Sequence, residues 1–279
     1  MRWQRAYLIG LPGRRTPIAE RTHAPRRTPP PVDNPPVGER LVVDGWAYGP
    51  AARGTRSLLQ HLVLFPIVRV LTPIAVRGAD RLRGQDGPFI VAANHVSHLD
   101  TPVILRTLPA RIRRRLVVAA AKDYFYRGRL RGTLVSLSLA TFPFDRGEGS
   151  RESLRQCRAL LARGWSLLIF PEGTRSPSGE LGRVRRGVAV LATATGVPVL
   201  PIYVHGLAEV MPKGTRAPLP GGVVVDLGEA LHPRPEETVD ALCTRIDRAL
   251  RSLANRRPGW GKDGAADDAE ARGLTGEGY

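Results

Sequence analysis

The residues Asn94-His95-Val96-Ser97-His98-Leu99-Asp100 hold two histidines and a carboxylate between an apolar run, Pro88–Ala93, and a helix-like stretch, Val103–Leu108. A histidine exchanges protons near neutrality, and a neighbouring carboxylate decides which ring nitrogen carries the hydrogen. On an ideal helix, residues five apart point about 140° away from each other, so His95 and Asp100 can meet only where a strand turns into a helix. Two other readings use the same residues. Ser97-x-x-Asp100 matches a helix capping box, which explains both without chemistry. His95, His98 and Asp100 are a candidate trio of metal ligands, but the spacing is neither His-Glu-x-x-His nor a zinc-finger pattern, and no metal site is expected.

A second cluster, Phe170-Pro171-Glu172-Gly173-Thr174-Arg175-Ser176, follows the apolar run Trp165–Phe170. A glycine-bearing loop with an arginine at a strand end suits a phosphate, and Glu172 can fix the guanidinium or accept a ligand hydroxyl. An ordinary turn with a surface ion pair is the competing reading. Arg146, in Phe142-Pro143-Phe144-Asp145-Arg146-Gly147, stands at another strand end, and Val197-Pro198-Val199-Leu200-Pro201-Ile202 is a strand with a proline near each end.

Taken together and in this order, the four clusters resemble the motifs of the lysophospholipid acyltransferase family, which includes the bacterial 1-acylglycerol-3-phosphate acyltransferases. The likeness runs from about Arg77 to His205. It implies a glycerolipid acyltransferase fold, with His95 as general base and Asp100 as its partner. It further implies a substrate site that includes Asn94, Arg146 on the acceptor phosphate, and Glu172 and Arg175 on the glycerol phosphate. Gly173 and Thr174 would shape the loop, and Pro201 the acyl and acceptor pocket. The activity implied is transfer of a fatty acyl group from acyl-CoA or acyl carrier protein to the hydroxyl of lysophosphatidic acid, forming phosphatidic acid in phospholipid biosynthesis, with no cofactor beyond the donor. Another lysophospholipid, glycerol 3-phosphate or a glycolipid remains open as acceptor. Where many members carry lysines after the third motif, this chain has Arg183, Arg185 and Arg186 before Gly187, the same charge in another form.

Positioning such clusters at strand ends takes an α/β domain, and short apolar runs do alternate with helical stretches. The pattern predicts a largely parallel mixed sheet of about seven strands flanked by helices. The strands fall at Ile74–Arg77, Pro88–Ala92, Leu116–Ala120, Thr141–Asp145, Trp165–Phe170, Val199–Val204 and Val223–Leu227. Helices are expected at Ser150–Arg163 and Gly187–Thr195, each followed by a glycine suited to a C-cap, and from Pro235 to about Ala254.

The 279 residues include 42 basic and 25 acidic side chains, a formal charge of +17, and the basic ones are almost all arginine. Residues 1–56 hold +6 of this and residues 258–279 hold −3, which leaves +14 in the middle. An anionic partner is implied, and arginine's planar fork suits phosphate. No basic helix interleaved with aromatics and no known nucleic-acid motif appears, so nucleic acid is not the expected partner. A non-catalytic basic protein that binds anionic membrane is the rival of a different class. It accounts for the charge but not for the placement of His95, Asp100, Glu172 and Arg175 at strand ends.

Residues 1–51, rich in Pro and Arg, and residues 258–279 have compositions unsuited to a core and read as disordered, leaving an acyltransferase domain at 52–257. Ser57–Val76 is the most apolar long segment, but Gln60, His61, Arg69, Pro66 and Pro73 make it a poor membrane span. It reads instead as one or two helices at the membrane interface, with Leu and Phe side chains in lipid and Arg56, Arg69 and Arg77 among lipid phosphates. Cys157 and Cys243 stand far apart, which suggests free thiols in a reducing compartment. With no apolar run near the start that would serve a secretory signal, the expected location is the cytoplasmic face of the cell membrane, peripherally attached.

Overall fold

A computed structural model describes residues 45–121, 137–144, 150–211, 219 and 221–256. Seven strands form one sheet: β1 (Ile74–Arg77), β2 (Ile90–Ala93), β3 (Leu116–Ala121), β4 (Thr141–Phe144), β5 (Ser166–Ile169), β6 (Val199–His205) and β7 (Val223–Leu227). Their order is β1-β7-β6-β2-β5-β3-β4. Every neighbouring pair is parallel except β6 with β7, so the sheet is mixed and largely parallel, as the alternating pattern predicts. The central strands β2 and β6 are buried along their whole length, which is why they read as unbroken apolar runs.

Helices cover both faces. After β2, α3 (Asp100–Thr107) and α4 (Ala110–Arg113) lie on the face where Val103, Ile104 and Ile112 pack with Val91 and Leu168. On the other face lie α5 (Ser150–Ala162), α6 (Gly187–Thr195) and α8 (Val239–Ala254), burying Leu160, Leu191, Leu242, Ile246 and Leu250 against Ile90 and Leu167. The short α7 (Leu207–Val210) follows β6. The chain leaves β2 toward one side of the sheet and returns through β5 beside it, so the carboxyl ends of β2 and β5 open onto the same crevice, the place where such sheets bind ligands.

Gly196 ends α6 in the left-handed conformation at φ 68°. The last helix begins at Val239, later than the expected Pro235. Glu236 sits at φ 61°, which no helix accepts, and Thr238 caps the helix by taking the Ala241 N–H on its hydroxyl. Asp145 falls outside the described residues.

The folded region starts earlier than residue 52. Tyr48 is buried, meets Trp165 edge-on with ring centroids 5.6 Å apart, and donates its hydroxyl to Thr141 O at 3.1 Å. A tyrosine held between two strand-bearing segments belongs to the core whatever the composition before it. The expectations for residues 1–44 and 257–279 lie outside the described residues.

From residue 50 to 71 the chain is helical throughout: α1 (Pro50–Leu59), a π turn at Gln60–Leu64, and α2 (Phe65–Leu71). Pro66 would clash with the carbonyl four residues earlier in a regular helix. The wider π turn, in which the Phe65 N–H reaches back to Gln60 O, accommodates it. The extra residue also rephases the apolar pattern, so that Leu58, Leu62, Ile67 and Val70 are all exposed, Leu62 at 67% and Val70 at 85%. Three side chains assigned to the lipid side lie elsewhere. Phe65 is buried in the core. Arg56 is buried too, giving its hydrogens to Ala47 O (2.6 Å) and Leu137 O (3.0 Å), because a desolvated guanidinium must find acceptors. Arg77 faces Asp226 at 3.9 Å.

Candidate active site

β2 ends at Ala93, and the next residues turn into α3 without forming helix themselves. That turn brings His95 Nδ1 within 2.7 Å of Asp100 Oδ2. The carboxylate can only accept, so Nδ1 carries the hydrogen and Nε2 keeps its lone pair. The same carboxylate oxygen accepts the backbone N–H groups of Val96 (2.7 Å) and Ser97 (2.9 Å). One side chain, wholly buried, therefore makes both the contact with His95 and the carboxylate half of the capping box. The reciprocal half of the capping box does not form, because Ser97 Oγ takes the Leu99 N–H instead, at 3.3 Å.

The loop after β5 fixes His95 from the other side. Glu172 Oε1 accepts the His95 N–H at 2.8 Å, and the Ser176 N–H donates to His95 O at 2.7 Å. The imidazole stacks on Phe170, with centroids 4.1 Å apart and planes 17° from parallel. Glu172 Oε2 accepts the Gly182 N–H at 2.8 Å. A Cβ at Gly182 would stand 2.9 Å from that oxygen, so a larger residue there would push the carboxylate aside. Glu172 is 6% exposed, and burial pushes its pKa above the usual carboxylate range despite the two backbone donors. Both oxygens thus serve the protein's own backbone, where the sequence reading gave them to the glycerol phosphate.

Arg175 is half-buried in the same loop, and Thr174 is exposed. His98 is exposed at the edge of the site; partial desolvation, followed by the nearby charges of Arg175 and His95, lowers its pKa. A cationic arginine beside His98 is poor company for a metal ion. Among the described residues, no group of three His, Cys, Asp or Glu side chains comes together to hold one.

Two expected substrate residues have structural work instead. Asn94 is buried, and its amide closes on one residue of β6, giving Nδ2 to Val204 O (3.0 Å) and taking the Val204 N–H on Oδ1 (2.8 Å). Pro201 lies inside the sheet in register with Ala92 and packs against Gly228, where a Cβ would come 2.6 Å from its ring. Arg146 is outside the described residues. Phe170, Ser176 and Gly182 were missed as site residues. Phe170 and Ser176 bound the second cluster but had no role there, and Gly182 lies outside it; their contacts with His95 and Glu172 supply the roles. A second pair, His205 Nε2 and Asp226 Oδ2 at 3.0 Å, is buried between β6 and β7 and bounded by Arg256 at 3.7 Å.

Residues 73–205 match a protein-family model described as Acyltransferase. Among curated proteins, the chain is 30% identical over 182 residues to the chloroplastic 1-acyl-sn-glycerol-3-phosphate acyltransferase BAT2 of Brassica napus, covering 64% of this chain and 49% of that one. It is 36% identical over 110 residues to the 1-acyl-sn-glycerol-3-phosphate acyltransferase of Pseudomonas aeruginosa, 39% of either chain. The chain spans about half the length of the chloroplastic relatives it matches, 49% and 46%. A solved structure, the 1-acyl-sn-glycerophosphate (LPA) acyltransferase PlsC from Thermotoga maritima, superposes with a TM-score of 0.55 at 24% identity, covering 75% of this chain and 79% of that one, and has the same fold.

Proposed function

We propose that this chain, whose residues 73–205 match the Acyltransferase family model, transfers a fatty acyl group from a thioester donor, acyl-CoA or acyl carrier protein, to the hydroxyl of lysophosphatidic acid, forming phosphatidic acid. The names of the relatives in plants and in Pseudomonas aeruginosa support that acceptor. The observation that carries the chemistry is the 2.7 Å contact between His95 Nδ1 and Asp100 Oδ2 at the mouth of the sheet. It holds Nδ1 protonated and leaves Nε2 as a base. In this reading Nε2 takes the proton of the acceptor hydroxyl as its oxygen attacks the thioester carbon. Asp100 stabilises the imidazolium that forms. The tetrahedral oxyanion then collapses, the carbon–sulfur bond breaks, and the leaving thiolate takes the proton back from His95. No acyl-enzyme and no cofactor is required. Arg175, with Arg146, supplies guanidinium groups for the acceptor phosphate.

The exposed stripe of Leu58, Leu62, Ile67 and Val70 supports peripheral attachment to a membrane surface, and the proposed side is the cytoplasmic face. Exposed Arg69 stands beside it, and Arg113 lies over the Phe65 ring at 4.9 Å. No described helix is long and apolar enough to cross a membrane.

The test is purified protein in detergent, incubated with acyl-CoA or acyl carrier protein and a panel of lysolipids, glycerol 3-phosphate and glycolipids, with products read by mass spectrometry. Phosphatidic acid should dominate and should fall at least about a hundredfold with His95→Ala, the usual scale of a general base. Vesicle binding with no acylation of any acceptor would favour the non-catalytic reading.

A further inference from the structure

The loop between β5 and α6 carries cations on two sides. Arg175 lies near enough to His98 for its charge to add to the desolvation that lowers the pKa of that histidine. Arg185 lies elsewhere. Its backbone N–H donates to Pro171 O at 3.0 Å, which folds the end of the loop back along its beginning. Its guanidinium then rests over Gly173, so that a Cβ there would meet Cζ and Nε at 3.1 Å. Gly173 is at φ 77°, and the glycine leaves room for an arginine to cross the loop two residues from Arg175.

Neighbouring arginines have partners: Arg186 pairs with Asp240 at 2.8 Å, and Arg251 with Asp247 at 2.8 Å. Arg183 and Arg185 are exposed, and neither side chain makes an ion pair or hydrogen bond among the described residues. A guanidinium without a partner among the described residues, laid across the motif loop, suits an anion, because arginine's fork matches phosphate oxygens. The acyl transfer proposed above brings two phosphate-bearing substrates to His95, and one arginine-marked position, Arg175, is taken by the acceptor.

We propose that Arg185 holds the phosphate of the donor's pantetheine arm, the group that acyl-CoA and acyl carrier protein share. The inference rests on the acyl-transfer reading. It makes the motif loop two-sided, with acceptor phosphate at Arg175 and donor phosphate across Gly173.

The experiment uses the full chain in detergent with three donors of one acyl length: acyl-CoA, acyl-phosphopantetheine and acyl-pantetheine, the last without phosphate. Arg185→Ala should raise KM about tenfold for both phosphorylated donors, the scale of one charge-assisted hydrogen bond at an open site. KM for acyl-pantetheine and for lysophosphatidic acid should stay within about twofold, and Arg185→Lys should recover part of the loss. Acyl carrier protein, run alongside, should follow acyl-CoA. Arg248→Ala removes an equally unpaired, exposed arginine from α8 and should change nothing. Equal losses for all three donors, a rise in the acceptor's KM, a loss confined to acyl carrier protein or to acyl-CoA, or no change at all would each overturn the assignment. Calorimetric binding of CoA without acceptor reads the site with no turnover. Weakened binding in Arg185→Ala would sustain this inference even if lysophosphatidic acid proved to be the wrong acceptor, and unchanged binding would sink it even if turnover were as proposed.

Discussion

Glu172→Gln separates a positioning role from a ligand role. In the structure each carboxylate oxygen accepts one backbone N–H at 2.8 Å, from His95 and from Gly182, in a side chain 6% exposed. A carboxamide keeps one acceptor oxygen and turns an NH2 group toward the other N–H, donor against donor. One buried N–H then lacks an acceptor, which costs about 1–3 kcal/mol, and the remaining bond loses its charge assistance. If His95 bears part of that cost, its ring slides on Phe170 and its Nε2 leaves the attacking line. Each 1.36 kcal/mol is about tenfold in rate, so kcat should fall roughly ten- to a hundredfold, with KM for the acceptor within about twofold. Thermal stability should move less than this. The raised pKa of Glu172 means that burying the charge opposes folding, and the amide removes that opposition. The sign follows from the direction of the shift. A carboxyl with a raised folded pKa favours folding most below its unfolded pKa and loses that contribution as pH climbs through the raised value. The wild-type clamp therefore loosens on acidification sooner than an ordinary glutamate would, because its buried carboxyl takes up a proton at a higher pH. The assay is steady-state kcat and KM against pH, with melting curves alongside. A variant with normal kcat and a greatly raised acceptor KM would show that Glu172 binds substrate after all, and the clamp reasoning would be wrong.

Asp100→Asn should lower kcat at least about a hundredfold at unchanged KM, because one oxygen serves His95, Val96 and Ser97 together and an amide cannot hold the same tautomer; near-normal turnover would remove His95 as base. Arg175→Ala should cut kcat/KM for a phosphorylated acceptor about tenfold to a few hundredfold, with Arg175→Lys restoring part, as measured against an uncharged acceptor for contrast. A chain shortened to begin at residue 45 should melt within about 2 °C of the full chain. One beginning at residue 52 loses Tyr48 and the Ala47 acceptor of Arg56, about 3–5 kcal/mol by analogy with aromatic deletions, and should melt roughly 10 °C lower by calorimetry. Leu62→Glu with Ile67→Glu should release the protein from anionic vesicles in a flotation assay while leaving its melting unchanged, since both side chains are exposed; Phe65→Glu should instead unfold it, being a core residue.

The seven strands were legible because each is a short apolar run between polar turns, a signal held within a few residues. The same holds for Gly196 closing α6 and for the His95 and Asp100 pair, which needs only that a strand become a helix between them. Thr238 and the left-handed Glu236 show where local reading slipped: acidic residues after a proline resemble a first helical turn, and a capping hydroxyl three residues on is a weaker cue. The roles that depend on strand order were not legible. Only the pairing of β2 between β6 and β5 brings Asn94 to Val204, 110 residues away, and Glu172 to the His95 backbone, 77 residues away. Arg56 likewise looked like a lipid-facing charge until the fold placed the carbonyls of Ala47 and Leu137 around it. Residue type and spacing determined which groups can do chemistry. Which of them face a substrate and which satisfy the protein's own buried donors was decided by long-range packing, because a buried N–H or guanidinium takes whichever acceptor the fold delivers.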